Sequence, residues 1–191
     1  MYLTDAATVT GHILHVDGGA HFGRWYMQGV FVMTSDTTAA GGRLRDLGMH
    51  LPEAPTPFGA SGPAVQTGNL LFLSGMLAAS GHAATVVGIV GTNLDVKAGR
   101  EAAYTAARHV LSLTRKQSGS LDRVSRVVRL GVYMAATAEC TEHPKVADAA
   151  SELLRDGFGD MTVASRLVCG GASPLLGSAV EREVIRAVKG A

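Results

Sequence analysis

Asn69-Leu-Leu-Phe-Leu-Ser74 is a short apolar block closed by Gly68 and Gly75, and it predicts a strand. Thr85–Val90, β-branched and ending at Gly91, predicts a second. The pattern then lengthens: Ala102, Ala106, Val110 and Leu113 recur at helical spacing, with Asn93 or Asp95 as the cap and Gly119 as the stop. Val124–Met134 reads as a long strand and Glu142–Phe158 as a second amphipathic helix. Two closing strands, about Ser165–Gly170 and Ala179–Val188, are joined by the turn Ser173-Pro174-Leu175-Leu176-Gly177. Strands and helices in this order predict an α+β fold with both helices on one sheet face.

The first fifty residues are less regular. Gly11–Asp17 reads as a strand running into Gly18-Gly19. A bridge over residues 26–50 follows, with an apolar run at Gly29–Met33 and then a loop rich in Thr, Ala and Gly. Three prolines in Leu51-Pro-Glu-Ala-Pro-Thr-Pro57 prohibit helix and mark a boundary. The expected division is an N-terminal appendage over residues 1–50 and a domain over 51–191.

Apolar residues make up 47% of the 191-residue chain and charged residues 17%, against about 25% charged in an ordinary soluble domain. Such a chain has too little charge to cover a monomer's surface, so part of that surface is expected to be buried between copies. Seventeen basic and sixteen acidic residues leave a net charge of +1, which gives no field for nucleic acid. Cys140 and Cys169 form neither a disulfide framework nor a metal-type pair. The lack of an early basic residue or a long apolar run leads to the expectation of a cytoplasmic protein with no membrane partner.

Arg166 opens the penultimate strand and Glu181 lies in the last. Guanidinium can grip a carboxylate through two parallel hydrogen bonds, and a nearby carboxylate can orient that Arg or activate a water. A purely structural Arg–Glu pair fits the same spacing. Glu183 shares Glu181's face by the period of two, and spacing does not choose between them. Ser74 with Gly75 offers a hydroxyl and a backbone N–H to a ligand, or simply ends a strand. His12, His15 and His21 with Asp17 resemble metal ligands only superficially, since no thiolate or paired motif supports them; no metal and no cofactor is expected. Arg123, Arg126 and Arg129 read as a solvated edge, and Cys169 as a small buried apolar residue.

From about Leu51 to Val188 the chain resembles the Rid (YjgF/YER057c/UK114) family. The resemblance rests on Pro55-Thr-Pro-Phe-Gly59, on Val65-Gln-Thr-Gly-Asn-Leu-Leu-Phe-Leu-Ser-Gly75, and on Arg166 standing fifteen residues before Glu181 in Val180-Glu181-Arg182-Glu183. Leu121–Leu130 and Glu142-His-Pro-Lys-Val146 suggest a divergent branch. The resemblance implies a chorismate-mutase-like α+β fold, a homotrimer, and clefts for a small-molecule substrate between subunits. Its deaminating members hydrolyse an imine or enamine to a ketone and ammonia. Carried over, Arg166 holds the substrate carboxylate, Glu181 positions the water, and Ser74, Gly75, Ser61 and Val168 line the cleft. Ser61, Met76 and Val168 stand where those members have Tyr, Gln and Cys, which leaves a non-catalytic keto-acid binder as a second reading. An endoribonuclease activity, after the family's older label, is a third.

Residues 4–19, Thr-Asp-Ala-Ala-Thr-Val-Thr-Gly-His-Ile-Leu-His-Val-Asp-Gly-Gly, resemble the C-terminal tail of a short-chain dehydrogenase. Neither a Gly-Xaa-Gly-Xaa-Xaa-Gly nor a Tyr-Xaa-Xaa-Xaa-Lys occurs, so no dehydrogenase activity is expected.

Overall fold

The structure is a computed structural model and describes residues 39–56, 58–159 and 164–189. Its elements are α1 (Ala40–Asp46), β1 (Ala64–Thr67), β2 (Leu70–Leu77), β3 (Ala79–Ser80), β4 (Ala83–Ala84), α2 (Val96–Ser118), β5 (Val124–Ala135), α3 (His143–Phe158), β6 (Ser165–Gly171) and β7 (Val180–Val188). Five strands form one sheet in the order β1-β2-β7-β5-β6, antiparallel throughout except for the parallel pair β5/β6. A parallel pair needs a crossover, and α3 supplies it. The expected α+β fold, with helices against one side of the sheet, is the one observed.

Alternation decides which side. Along β7, Val180, Arg182, Val184, Arg186 and Val188 are buried, while Glu181, Glu183, Ile185 and Ala187 are half-buried on the opposite face. The buried set meets α2 and α3: Arg182 donates to the Ala103 carbonyl at 3.0 Å, and the Arg186 guanidinium lies over the Phe158 ring. Gly99 lets the two helices close, since a Cβ there would lie 3.0 Å from Val146 and 3.2 Å from Val90. The other sheet face carries Val65, Phe72 and Leu167, all exposed.

Asp95 caps α2 by accepting from Ala98 N–H at 2.7 Å, and Gly119 ends it at φ 79°. Asn93 instead accepts from Ile89 N–H at 2.8 Å. Three expectations need correction. Thr85–Val90 is not a strand: Gly88 at φ 141° breaks its extension, and Val87 and Val90 make only isolated bridges. Ser74 does not end its strand. β2 continues to Leu77 through a bulge, because Leu73 pairs with Val184 and Met76 with Arg182, leaving Ser74 and Gly75 against one β7 residue. Residues 40–46 of the expected loop are helical. Leu44 packs against Gly157, Arg43 Nε donates to the Gly157 carbonyl at 3.0 Å, and Asp122 accepts from Gly41 N–H at 2.9 Å.

Candidate functional site

The β2 bulge and the start of β7 build the centre of the site. Two residues opposing one bends the strand and turns Gly75 towards Glu181. A Cβ at Gly75 would collide with Glu181 Oε1 and stand 3.0 Å from Cδ, so glycine makes room for the carboxylate. Among the described residues no hydrogen bond or ion pair reaches that carboxylate, which is half-buried. Glu183, two residues on, accepts from the Tyr133 hydroxyl at 3.2 Å. The geometry thus separates two glutamates that spacing leaves equivalent: Glu183 is tied down and Glu181 is available.

Ser74 sits beside this pair and faces the loop before β1. Its hydroxyl donates to the Gly62 carbonyl at 2.5 Å, and its N–H to the Pro63 carbonyl at 3.1 Å. Ser61, exposed, precedes Gly62 directly. The structure therefore brings Ser61, Ser74, Gly75 and Glu181 into one neighbourhood. Met76 points the other way, 3% exposed in the helix-facing core.

Arg166 is not part of that cluster within one chain. It pairs with Leu130 and through it with Val184, whereas Glu181 shares a row with Tyr133 and Cys169. The rows lie three residues apart, about 10 Å along the strands, with β5 intervening between β6 and β7. The side chains also take opposite faces. Arg166 lies on the helix side, where Nη1 donates to Asp148 Oδ1 at 2.6 Å and to Ser151 Oγ at 3.1 Å. Val168, on the same side, is partly buried against the core. Farther along, a Cβ at Gly170 would collide with His143 Nε2. Asp148, Ser151 and His143, all on α3, thus line the helix side of the strand that carries Arg166. Strand spacing does not point to any of the three, although Asp148 and Ser151 stand one turn apart on the Glu142–Phe158 helix.

Cys169 is half-buried on the open face rather than in the core. Its parity is odd relative to Arg166, so it faces away from the helices. Arg123 donates to the carbonyls of Ser118 and Lys189, at 3.3 and 3.1 Å, and so closes the β5 entry rather than standing solvated. His12, His15, His21 and Asp17 lie outside the described residues. Among the described residues no group of three or more His, Cys, Asp or Glu could hold a metal ion, and no helix is long and apolar enough to cross a membrane.

Residues 41–179 match the family described as "YjgF/chorismate_mutase-like, putative endoribonuclease". The match starts past residues 4–19, so it lends no support to their dehydrogenase-tail resemblance. Protein TCP17 of Trypanosoma cruzi is 34% identical over 155 residues, which are 81% of this chain and 96% of that protein. The protein Atu1372 of Agrobacterium tumefaciens, whose function is unknown, superposes with a TM-score of 0.71 at 30% identity, over 79% of this chain and 94% of its own. A "putative endoribonuclease" of Shewanella oneidensis MR-1 superposes with a TM-score of 0.75 at 26% identity, over 78% of this chain and 99% of its own. With its sheet order, its helices on one face and a match over most of its length, the chain belongs to the YjgF/chorismate-mutase-like family.

Proposed function

We propose that the protein is a Rid-type deaminase that hydrolyses a small carboxylate-bearing imine or enamine to a carbonyl compound and ammonia. The observation that carries this reading is the Glu181 carboxylate, unpaired and set over Gly75 at a strand bulge. Such a carboxylate can take a proton from water as the oxygen attacks the imine carbon. The departing nitrogen then leaves as ammonia with the proton returned to it. Ser74, Gly75 and Ser61 line the same neighbourhood, and Arg166 supplies the grip on the substrate carboxylate.

Because Arg166 and Glu181 take opposite faces of one sheet, a site that uses both draws them from different copies of the chain. A homotrimer meets this need, with the β6 edge of one subunit set against the Glu181 face of the next. The exposed Val65, Phe72 and Leu167 on the open face are the kind of surface that association hides.

One observation favours a second reading, a non-catalytic binder of keto acids. Arg166 is already engaged by Asp148, and the positions where deaminating members have Gln and Cys hold Met76 and Val168, neither of which offers a polar side chain. RNA cleavage fits less well, since a net charge of +1 supplies little attraction for phosphates. The deciding measurement is ammonia release from 2-imino acids generated in situ by an amino acid oxidase. Acceleration over buffer that disappears in Glu181→Gln supports hydrolysis. Stabilisation by 2-oxo acids without acceleration supports the binder.

A further inference from the structure

Two arginines, four residues apart with Val184 between them, lie on the helix-facing side of β7, and neither meets a carboxylate. Arg182 and Arg186 have no exposed surface at all. Register sets Arg182 between Met76 and Val132, and Arg186 between Leu71 and Val127, so their flanks are apolar. Arg182 places one N–H on the Ala103 carbonyl, while its Nε and Nη2 have no hydrogen-bond partner among the described residues. Arg186 stacks on Phe158 with its Cζ 5.0 Å from the ring centre, and none of its three nitrogens has such a partner.

A guanidinium carries five N–H donors and accepts nothing. Leaving such donors unpaired in an apolar interior is strongly unfavourable, because nothing there replaces the lost hydration of the charge. The stacking on Phe158 offsets little of that. Among the described residues no Asp or Glu is buried, so this layer holds two cations with no buried carboxylate beside them. Proton loss does not remove the charge near neutrality either. Burial, followed for Arg182 by the charge of Arg186, lowers each guanidinium only to about 9.

We propose that the layer between the sheet and helices α2 and α3, at Arg182 and Arg186, binds a small monovalent inorganic anion of halide or nitrate size. Size follows from complete enclosure, and single charge from the apolar flanks, because a doubly charged ion loses far more hydration on entry. The ion accepts from the free guanidinium N–H groups and offsets one of the two buried charges. It faces away from Glu181, so the site is separate from the one proposed for imine hydrolysis and does not depend on that reading.

The test starts from full-length protein unfolded in urea and refolded in sodium gluconate, which strips any trapped small ion. Bromide is then titrated in at constant ionic strength while thermal unfolding is followed. A rise in Tm that grows with the logarithm of bromide concentration, reaching about 5 °C at a hundredfold excess over Kd, is expected. Sulfate, which stabilises proteins generally by exclusion from their surface, should raise the Tm of the parent and of the double variant alike. Arg182→Met/Arg186→Met should lose the bromide response. Crystals of the unaltered protein grown in bromide should show an anomalous peak within hydrogen-bond reach of the two guanidinium groups, which covers the case of a variant that does not fold. A Tm independent of bromide, an equal response in the double variant, or no peak at the arginines overturns the proposal.

Discussion

Gly75 and Glu181 interlock across the β2–β7 pair: the carboxylate occupies the space a β-carbon at residue 75 would need. The obstructing atom is the far end of a flexible side chain, so Gly75→Ala should fold with a Tm within a few degrees of the parent. The carboxylate would have to swing away. A displacement of about 1 Å at a reacting group costs about 100-fold, so imine hydrolysis should fall by that order. A variant retaining full activity would remove Glu181 from the reaction.

The two glutamates of β7 should separate in the same assay. Glu181→Gln removes a carboxylate with no competing partner and should lower kcat/KM by about 100-fold or more. Glu183→Gln alters one 3.2 Å bond to Tyr133 and should change it by less than about threefold. Equal losses would mean that the pair acts as a unit.

Arg166 and Asp148 make a partly exposed ion pair, with side chains 30% and 45% exposed. Such pairs contribute about 0.2–1 kcal/mol. Asp148 therefore competes only weakly with a ligand carboxylate. Asp148→Asn should tighten binding of a 2-oxo acid by about two- to fivefold, read by calorimetry, with little change in Tm. Arg166→Ala should abolish binding. Weaker binding in Asp148→Asn would mean that Asp148 orients the arginine rather than competing for it.

Much of this fold follows from periodicity. α2, β5, α3, β6 and β7 begin and end close to where spacing and caps place them; in α2, α3 and β5 a long, largely apolar buried face sets the pattern, while β6 and β7 are bounded by the turn between them. Thr85–Val90 misleads because composition favours a strand while Gly88 takes a positive φ. Ala40–Asp46 misleads in the opposite sense. Two glycines and no side-chain cap argue against helix, yet Leu44 on Gly157 and Asp122 at the N-terminus hold it. Arg166 and Glu181 are legible as residues, but their opposite facing is not. It depends on β5 lying between β6 and β7, a pairing no local pattern encodes. The buried arginines were within reach: if Glu181 and Glu183 face outward, Arg182 and Arg186 must share the inward side with Val180, Val184 and Val188.

Complementation between subunits tests the shared site directly. Arg166→Ala and Glu181→Gln chains should each be inactive alone. Unfolded together in equal amounts and reassembled at random, they place an intact Arg beside a neighbour's intact Glu in about a quarter of the clefts. Activity near a quarter of the parent's is expected. No recovery in mixed assemblies confirmed by mass would mean that Arg166 and Glu181 do not act in one site.

The buried arginines also predict an unusual pH response. Burial lowers Arg182 and Arg186 to about 9, while the unfolded chain keeps each guanidinium protonated well beyond this range. Below pH 9 both states hold these protons and the folded state bears the full cost of burying charge. Above it the folded state releases protons that the unfolded state retains. The unfolded state then binds more protons, and stability rises with pH. Relative to Arg182→Met/Arg186→Met, the parent should gain about 2 kcal/mol per arginine between pH 8 and 10.5 in gluconate, measured by urea denaturation. Comparison with the variant subtracts Lys, Tyr and Cys titration. Bromide should flatten the gain, because a bound anion favours the charged form and draws both values back up. A parent that loses stability relative to the variant over this range would mean that the guanidinium groups are already compensated in the fold.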